Sequence, residues 1–429
     1  MGGKTTRRDF AHKLAMTLQH RGELDEAEGL YRESLHLARK ARDRRGEASA
    51  LHQLGNVACL RGRLDEAERQ YLQAREIIVQ IGDCRREAVV LHQLGMVAYL
   101  RGDPEKAEKL YRQSLKINRA EDDRPGVGAT LHQLGILAQD RWQLDEAEGL
   151  YNQSLEIARK VGNRPGEAPT MGQLGMVAQA RGKLEKAEDL YRQSLEIERE
   201  VGDRPGEAKT LHQLGMVAQD RGKLEEAEKL YRQSLAIKRE VNDRHGEATS
   251  LHQLGMVAQQ HGKLEEAEDL YRQGLEIARE LGDRPGEAAS LLQLGTMAGM
   301  RGKLEEAEDL FRHGFEIARA GGDRAMQAQV LYQFGIVAQI REKLEEAEVL
   351  YRQARDGFVE IGDRPDEART LAQMALLAEA QGDVGSAVER MERAVAMMEE
   401  MGLGQAEQAK GDLDRLRKRL EEEQGEAKS

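Results

Sequence analysis

Two side-chain types that could bind a peptide recur through this chain at one fixed spacing. Glutamine stands at every 40th position from Gln53 to Gln373. A glutamine amide carries both an acceptor and donors, so a row of glutamines could pair with the backbone of an extended peptide whatever its sequence. Methionines in the same register offer adaptable apolar contact. The candidate partner-binding residues are His52, Gln53, His92, Gln93, Met96, His132, Gln133, Gln173, Met176, His212, Gln213, Met216, Gln219, His252, Gln253, Met256, Gln293 and Gln333.

The histidines of this set could instead hold a metal or titrate. Zinc ligands lie about 2.1 Å from the ion, whereas neighbouring helix axes lie about 8–10 Å apart. One histidine per repeat, with no cysteine or carboxylate at a fixed spacing beside it, is therefore a poor site, and we expect no metal and no cofactor. An ordinary histidine pKa would make binding of an acidic partner depend on pH near about 6–6.5.

No catalytic residue set is predicted. Serine, histidine and aspartate are plentiful, but each recurs with the repeat, and an enzyme needs one asymmetric site. We therefore expect that the chain is not an enzyme.

The spacing of these residues comes from an internal repeat. A five-residue motif recurs every 40 residues without insertion, and positions that lack an intact copy carry a variant or degenerate copy. The repeat predicts ten units over residues 8–404, with a lead-in at 1–7 and a cap and polar tail at 405–429. The intact pentad Leu-His-Gln-Leu-Gly occurs at 51–55, 91–95, 131–135, 211–215 and 251–255.

The residue pattern of each unit predicts two helices, a first helix A and a second helix B. In the unit at 203–242, Asp203 is a good N-cap and Pro205 suits the first turn. Apolar or small residues then recur at helical spacing up to Gly222, which ends helix A, and a second such run follows. The predicted fold class is all-α. The buried arc of this helix A comprises Leu211, Leu214, Gly215, Val217 and Ala218, and the opposite arc comprises His212, Gln213, Met216, Gln219 and Asp220.

Small and aromatic residues also recur at fixed positions within the 40-residue repeat. Glycine inside a helix costs about 1 kcal/mol against alanine, so its recurrence at Gly135 and equivalent positions predicts close approach of a partner helix. The alanine of helix B, such as Ala147, would make that contact. The tyrosine of helix B, such as Tyr151, is predicted to lie in the core.

The pattern Leu-x-x-Leu-Gly, a later alanine, a tyrosine four residues on and a small residue three further resembles the tetratricopeptide repeat. The usual unit is extended here by Gly-Asp-Arg-Pro-Gly-Glu, as in kinesin light chains, Gα-binding spindle-orientation adaptors and many bacterial repeat proteins. The resemblance implies a right-handed α-solenoid with helix A facing inward. In such adaptors, asparagine fills the slot of the present glutamine and clamps peptide backbone.

Composition and the tail complete the prediction. The net charge of −12 disfavours nucleic acid and anionic membranes as partners, and two cysteines exclude a disulfide framework, which favours a cytoplasmic protein. We expect a monomer or weak self-association. The predicted capping helix places Ala406, Ala409, Leu413, Leu416 and Leu420 on one face.

These observations predict a non-catalytic adaptor that binds a peptide or protein segment in the groove of helix A. Two alternatives are a detached sensor arm of a signalling NTPase and a self-assembling scaffold. Recent duplication could also have copied the polar arc without selection for binding. Apolar residues such as Met300 and Ile340 replace polar ones on this arc, which indicates either an apolar pocket or drift of the repeat.

Overall fold

The computed structural model describes the backbone of residues 2–426 and the side chains of residues 8–19 and 21–424. Over this range the secondary structure is entirely α-helical, and the contacts divide the chain into the units Met1–Arg221 and Gly222–Ser429. The first unit contains α1 (Gly2–His20), α2 (Leu24–Ala41), α3 (Arg44–Leu60), α4 (Leu64–Gln80), α5 (Cys84–Leu100), α6 (Pro104–Ala120), α7 (Arg124–Asp140), α8 (Leu144–Lys160), α9 (Arg164–Ala180), α10 (Leu184–Val201) and α11 (Arg204–Asp220). The second contains α12 (Leu224–Glu240), α13 (Arg244–Gln260), α14 (Leu264–Leu281), α15 (Arg284–Met300), α16 (Leu304–Gly321), α17 (Arg324–Ile340), α18 (Leu344–Ile361), α19 (Arg364–Ala380), α20 (Val384–Glu400) and α21 (Ala406–Glu426).

Within each unit, helices that follow each other in sequence pack together. The odd-numbered helices from α1 to α19 are the A helices; within the units, α1, α3, α5, α7 and α9, and α13, α15, α17 and α19, each pack most extensively on the even-numbered helix B that follows. Some neighbouring A helices also touch directly, as α7 does α9 in the first unit and α15 does α17 in the second. This arrangement confirms the predicted tandem helix-turn-helix repeats. The pair α7–α8 forms the fourth repeat, and α15–α16 forms the eighth.

The helix ends follow the predicted signals. The Asp203 carboxylate accepts a hydrogen bond from the backbone N–H of Gly206 at 3.0 Å, and Pro205 lies in the first turn of α11. The preceding helix ends at Gly202, whose φ of 74° is in the left-handed region that glycine adopts without strain. Sequence-local capping therefore sets the boundaries of the repeat.

The structure corrects the predicted role of the glycine in helix A. A Cβ atom at Gly135 would lie 2.5 Å from Cε1 of Tyr151, so the glycine makes room for the tyrosine ring of its own repeat. Ala147 is fully buried, but it is not the group that needs this space. The eighth repeat repeats the arrangement with Gly295 and Phe311, again at 2.5 Å. The tyrosine row is buried as predicted.

The last helix, α21, covers the end of the second unit as predicted. Leu413 and Leu416 are buried against a cluster that includes Val395 and Met398 of α20. The predicted tail residues 427–429, and the side chains of the predicted lead-in 1–7, lie outside the described residues. No helix in the described part of the chain is long and apolar enough to span a bilayer.

Candidate functional site

The first glutamine row lies on the A helices, in half-buried positions. The amides of Gln133 and Gln173 in the first unit, and of Gln293 and Gln333 in the second, form no side-chain hydrogen bond with any described residue. At Gln53 the Oε1 atom accepts from Asn56 Nδ2 at 2.9 Å, so that amide keeps its donors for another partner. A half-buried amide without an internal partner gains most from a ligand that supplies one. Gln93, Gln213 and Gln253 are half-buried in the same way.

Part of this row lines a cleft in the first unit. The cleft has a volume of about 210 Å³ and runs between α7 and α9, with the end of α8 at its side. His92, His132 and Gln133 contribute to its wall, as the sequence predicted for a binding surface. Ala158 and Pro169 complete it, and neither was among the predicted site residues.

A second cleft, in the second unit, occupies the same register of the repeat. Its volume is about 240 Å³, and Gln293 and Gln333 both line it, together with Tyr332. Phe358 stands where Ala158 stands in the first unit, and Arg369 stands where Pro169 stands. The structure therefore places Gln133 in one cleft and Gln293 and Gln333 in the other, with different neighbours.

The second cleft also carries an ion pair of its own. Arg369 NH1 lies 2.7 Å from Asp366 Oδ1, and both residues line the cleft. Burial raises the pKa of the Asp366 carboxyl, although Arg369 opposes that shift. This cleft therefore presents a planar cation and amides beside aromatic side chains, whereas the first presents histidine, proline and amide.

The histidine row is packed rather than open, which corrects the expectation of an exposed polar arc. The ring of His132 lies 5.6 Å from that of Tyr151, and its Nδ1 atom lies 3.1 Å from Thr170 Oγ1 of the next repeat. His52, His92 and His252 make the same ring contact with the tyrosines of their own repeats, at 5.3–5.7 Å. His212 is buried, with 9% of its surface exposed.

This packing also corrects the expected titration near pH 6–6.5. Burial lowers the pKa of His52 to about 4, with a further contribution from Arg86. Burial likewise lowers the pKa of His132 to about 4, helped by Lys209 and His92. The pKa values of His92 and His252 are lowered by burial too. His52 and His132 therefore stay neutral in the range where a pH-dependent ligand contact was expected.

The second glutamine row, to which Gln219 belongs, has a core partner in at least five of the described repeats. The hydroxyl of Tyr151 donates to Gln139 Oε1 at 2.9 Å, and that of Tyr351 donates to Gln339 Oε1 at the same distance. Gln19, Gln179 and Gln259 accept from their own tyrosines at 2.9–3.3 Å. This row satisfies buried hydroxyls, a role that the sequence analysis missed.

The methionines of the predicted site are accessible in part. Met96, Met176, Met216 and Met256 are half-buried on the same face of their helices as the first glutamine row. At the ends of α15 and α17, Met300 and Ile340 are 58% and 57% exposed. These side chains offer apolar contact next to the amides. Within the described residues, no three histidine, cysteine or acidic side chains are placed to hold a metal ion.

Comparison with known proteins places this architecture. No curated protein matches the chain in sequence. A signal transduction ATPase with a tetratricopeptide repeat sensor from Pyrococcus horikoshii is similar in structure, with a TM-score of 0.60, 15% identity, and coverage of 78% of this chain and 53% of that one. The apo quorum sensor NprR of B. thuringiensis has a TM-score of 0.60, 14% identity, and coverage of 82% and 98%. Nearly identical repeats of a kinesin light chain from Podosopora anserina share 25% identity over 46% of this chain and 97% of that one, with a TM-score of 0.40.

The family model of the tetratricopeptide repeat matches over most of the chain. The matched residues are 8–78, 46–120, 86–160, 126–200, 166–240, 206–280, 246–320 and 326–400. Together with the paired helices and the glycine–tyrosine contact in six described repeats, this match assigns the chain: it belongs to the tetratricopeptide repeat family.

Proposed function

We propose that the protein is a non-catalytic adaptor that binds an extended segment of a protein partner along its A helices. The observation that carries the proposal is the half-buried glutamine row, of which Gln133 in the first unit, and Gln293 and Gln333 in the second, line a cleft and form no side-chain hydrogen bond with a described residue. Amides placed in this way pair with peptide backbone. Repeats of this family serve in general as interaction scaffolds, which agrees with such a role.

The neighbouring side chains refine this proposal. In the first unit, His92 and His132 are packed against tyrosine rings, so they shape the cleft, and the ligand contacts fall to the amides and methionines. In the second unit, Arg369, Tyr332 and Phe358 add charge and aromatic surface. We therefore expect the first cleft to be tolerant of peptide sequence and the second to be more selective.

The test uses 12-residue peptides selected from a random display library against the whole protein. Replacing Gln93, Gln133 and Gln173 with alanine removes three amides from the first unit and should weaken peptides bound there at least about tenfold, since each lost hydrogen bond costs about 0.5–1.5 kcal/mol. N-methylation of the peptide backbone should weaken the same peptides. The loss of affinity should be similar for peptides of different sequence, because the glutamine amides contact backbone groups that all peptides share.

The matched control is Gln193→Ala on α10. This glutamine is exposed on a B helix, and its amide donates only to the Asp189 carbonyl oxygen, at 3.3 Å. It should leave both affinity and melting temperature unchanged. Selected peptides that bind the triple variant as tightly as the wild-type protein would refute the groove assignment.

A second candidate function is that of a sensor arm for a signalling NTPase. It is favoured by the structural similarity to a protein whose tetratricopeptide repeats form the sensor of such an ATPase. Co-purification of the chain with an NTPase encoded beside it, and a change in the rate of nucleotide hydrolysis on mixing, would support this role. An unchanged rate at saturating chain would exclude it for that NTPase.

A further inference from the structure

Among the described residues, five repeats contain a carboxylate held between two arginines, here called the Arg–Glu–Arg clamp. In the eighth repeat, Glu287 Oε1 accepts from Arg279 Nε at 2.9 Å, and Glu287 Oε2 accepts from Arg284 NH1 at 2.8 Å. The glutamate is 5% exposed, so the arginines neutralise a nearly buried charge. The other clamped glutamates are Glu47, Glu167, Glu207 and Glu247.

The fourth repeat keeps both arginines and lacks the carboxylate. Arg119 and Arg124 occupy the clamp positions, and Val127 stands in place of the glutamate. Arg119 is exposed and forms no ion pair or hydrogen bond through its side chain with any described residue. Arg124 lies 3.5 Å from Asp122, in a pair whose side chains are 63% and 84% exposed, so that contact is weak.

The acidic residues around this empty clamp are engaged elsewhere. Asp123 caps α7 by accepting from the backbone N–H of Gly126 at 3.1 Å. Glu121 Oε2 lies 3.7 Å from Arg85 Nε of the previous repeat. The guanidinium of Arg119 therefore remains the uncompensated cation at this junction.

Arg119 also lines a cleft on the outer side of the stack, between α6 and α8. This outer cleft has a volume of about 250 Å³, and Leu115, Leu131, Leu134 and Leu150 form its apolar surface. Two further cations, Arg112 and Arg141, line it too, but both pair with Glu108, each at 2.6 Å. Glu146, on α8, also lines the cleft and forms no ion pair with a described residue.

An equivalent outer cleft exists in the eighth repeat, and it differs in charge. Leu275, Leu291, Leu294 and Leu310 repeat the apolar surface, and Arg279 stands where Arg119 stands. There Glu287 holds the arginine. The two clefts thus share their floor and differ in whether the arginine is already paired.

We propose that the outer cleft of the fourth repeat binds an acidic side chain of a protein partner flanked by leucine-type side chains. Arg119 and Arg124 close on that carboxylate as Arg279 and Arg284 close on Glu287, and the leucines of the cleft receive the apolar neighbours. Charge complementarity selects the occupant, because the chain itself places a carboxylate at this point in five other repeats. This surface is separate from the glutamine row.

The probe is a dye-labelled nine-residue peptide, acetylated and amidated, with a Leu-Glu-Leu centre and neutral polar flanks. Its reference carries Leu-Gln-Leu. Fluorescence anisotropy with the whole protein should show about fivefold tighter binding of the glutamate peptide, the ratio expected for a partly exposed charge pair. Arg119→Gln should abolish this preference.

Val127→Glu refills the clamp from within the chain. It should also abolish the preference, and it should leave the melting temperature unchanged or raise it, so that unfolding cannot explain the loss. In the Arg119→Gln background, Glu287→Val frees Arg279 and should restore the preference, now in the eighth repeat. Equal binding of the two peptides by the wild-type protein, or a preference that survives Val127→Glu, would overturn the proposal.

Discussion

The fourth and eighth repeats, 160 residues apart in different units, have the same helix pair and differ in their polar chemistry. Both bury an aromatic ring of helix B against a glycine of helix A, Tyr151 on Gly135 and Phe311 on Gly295. In the fourth repeat the ring carries a hydroxyl, and Gln139 accepts from it at 2.9 Å. In the eighth repeat the ring belongs to Phe311 and carries no hydroxyl, and Gly299 stands in place of the glutamine.

Both repeats therefore keep the buried aromatic ring. Of these two repeats, only the one that supplies a glutamine acceptor carries a hydroxyl on the ring. A buried hydroxyl without a partner costs about 1–3 kcal/mol, whereas replacing both partners by apolar groups is nearly neutral. In the eighth repeat both partners are replaced in this way, the glutamine by Gly299 and the tyrosine by Phe311.

The largest expected effect removes what the two repeats share. Tyr151→Ala and Phe311→Ala each empty a site that is at most 1% exposed. Each should cost about 3–5 kcal/mol of unfolding free energy, as large-to-small core changes do. In a repeat array the loss should be local, so hydrogen exchange should speed up in α7 and α8 for the first variant and in α15 and α16 for the second. A cost below about 1 kcal/mol in either variant would contradict the shared role of the ring.

The next effect depends on what the repeats do not share. Phe311→Tyr introduces a hydroxyl where Gly299 offers no acceptor and should destabilise by about 1–3 kcal/mol. Adding Gly299→Gln should recover most of that loss by recreating the pair of Gln139 and Tyr151. Chemical denaturation of the two single variants and the double variant gives the coupling energy. A coupling energy of zero would show that the pair is coincidental.

The apolar register was predictable because repetition displays it many times. Leu211, Leu214 and Val217 are buried where the helical spacing placed them, and the caps at Asp203 and Gly202 agree with their residue types. The glycine was assigned the wrong partner, because spacing along one helix does not show which side chain of another helix fills a gap. That assignment requires the Tyr151 ring in three dimensions.

The candidate site was predictable in part. The glutamine row could be read from its chemistry and its spacing, and the clefts then add Ala158, Pro169, Phe358 and Arg369, which come from different helices and share no sequence motif. The histidines were misjudged because a residue opposite the buried arc of one helix is covered by the next helix A. Third-repeat Tyr111 illustrates the same limit: Tyr99 takes the glutamine position but donates to Asp140 at 2.8 Å, and the Tyr111 hydroxyl has no partner among the described residues.

A smaller effect tests the histidine position, where the fourth repeat has His132 and the eighth has Leu292. Burial lowers the pKa of His132 to about 4 from 6.5, so the unfolded chain takes up the proton first as pH falls. Stability should therefore fall between about pH 6.5 and pH 4, and the neutral histidine contributes fully above this window. His132→Leu should reduce the loss of unfolding free energy between pH 7 and pH 5 by about 2 kcal/mol.

Denaturant unfolding at the two pH values measures that loss. Removal of the contact with Thr170 affects both pH values equally, so it does not enter the difference. Equal pH dependence in the wild-type protein and the variant would show that the histidine is exposed to solvent as an ordinary one.

The smallest effect concerns the turn between helices A and B. Trp142 has a φ of 60° in the fourth repeat, and Gly302 has a φ of 73° at the same position in the eighth. A non-glycine residue in the left-handed region costs about 1–2 kcal/mol, but glycine also gives the unfolded chain more freedom, which offsets part of that gain. Since Trp142 is 72% exposed, Trp142→Gly loses little packing and should stabilise the protein by about 0.5–1 kcal/mol. Gly302→Trp should destabilise by a similar amount. Thermal unfolding of the two variants measures both effects. If Trp142→Gly is destabilising and Gly302→Trp is not, the tryptophan makes a contact whose stabilisation exceeds its backbone strain. In that case the two turns are not equivalent.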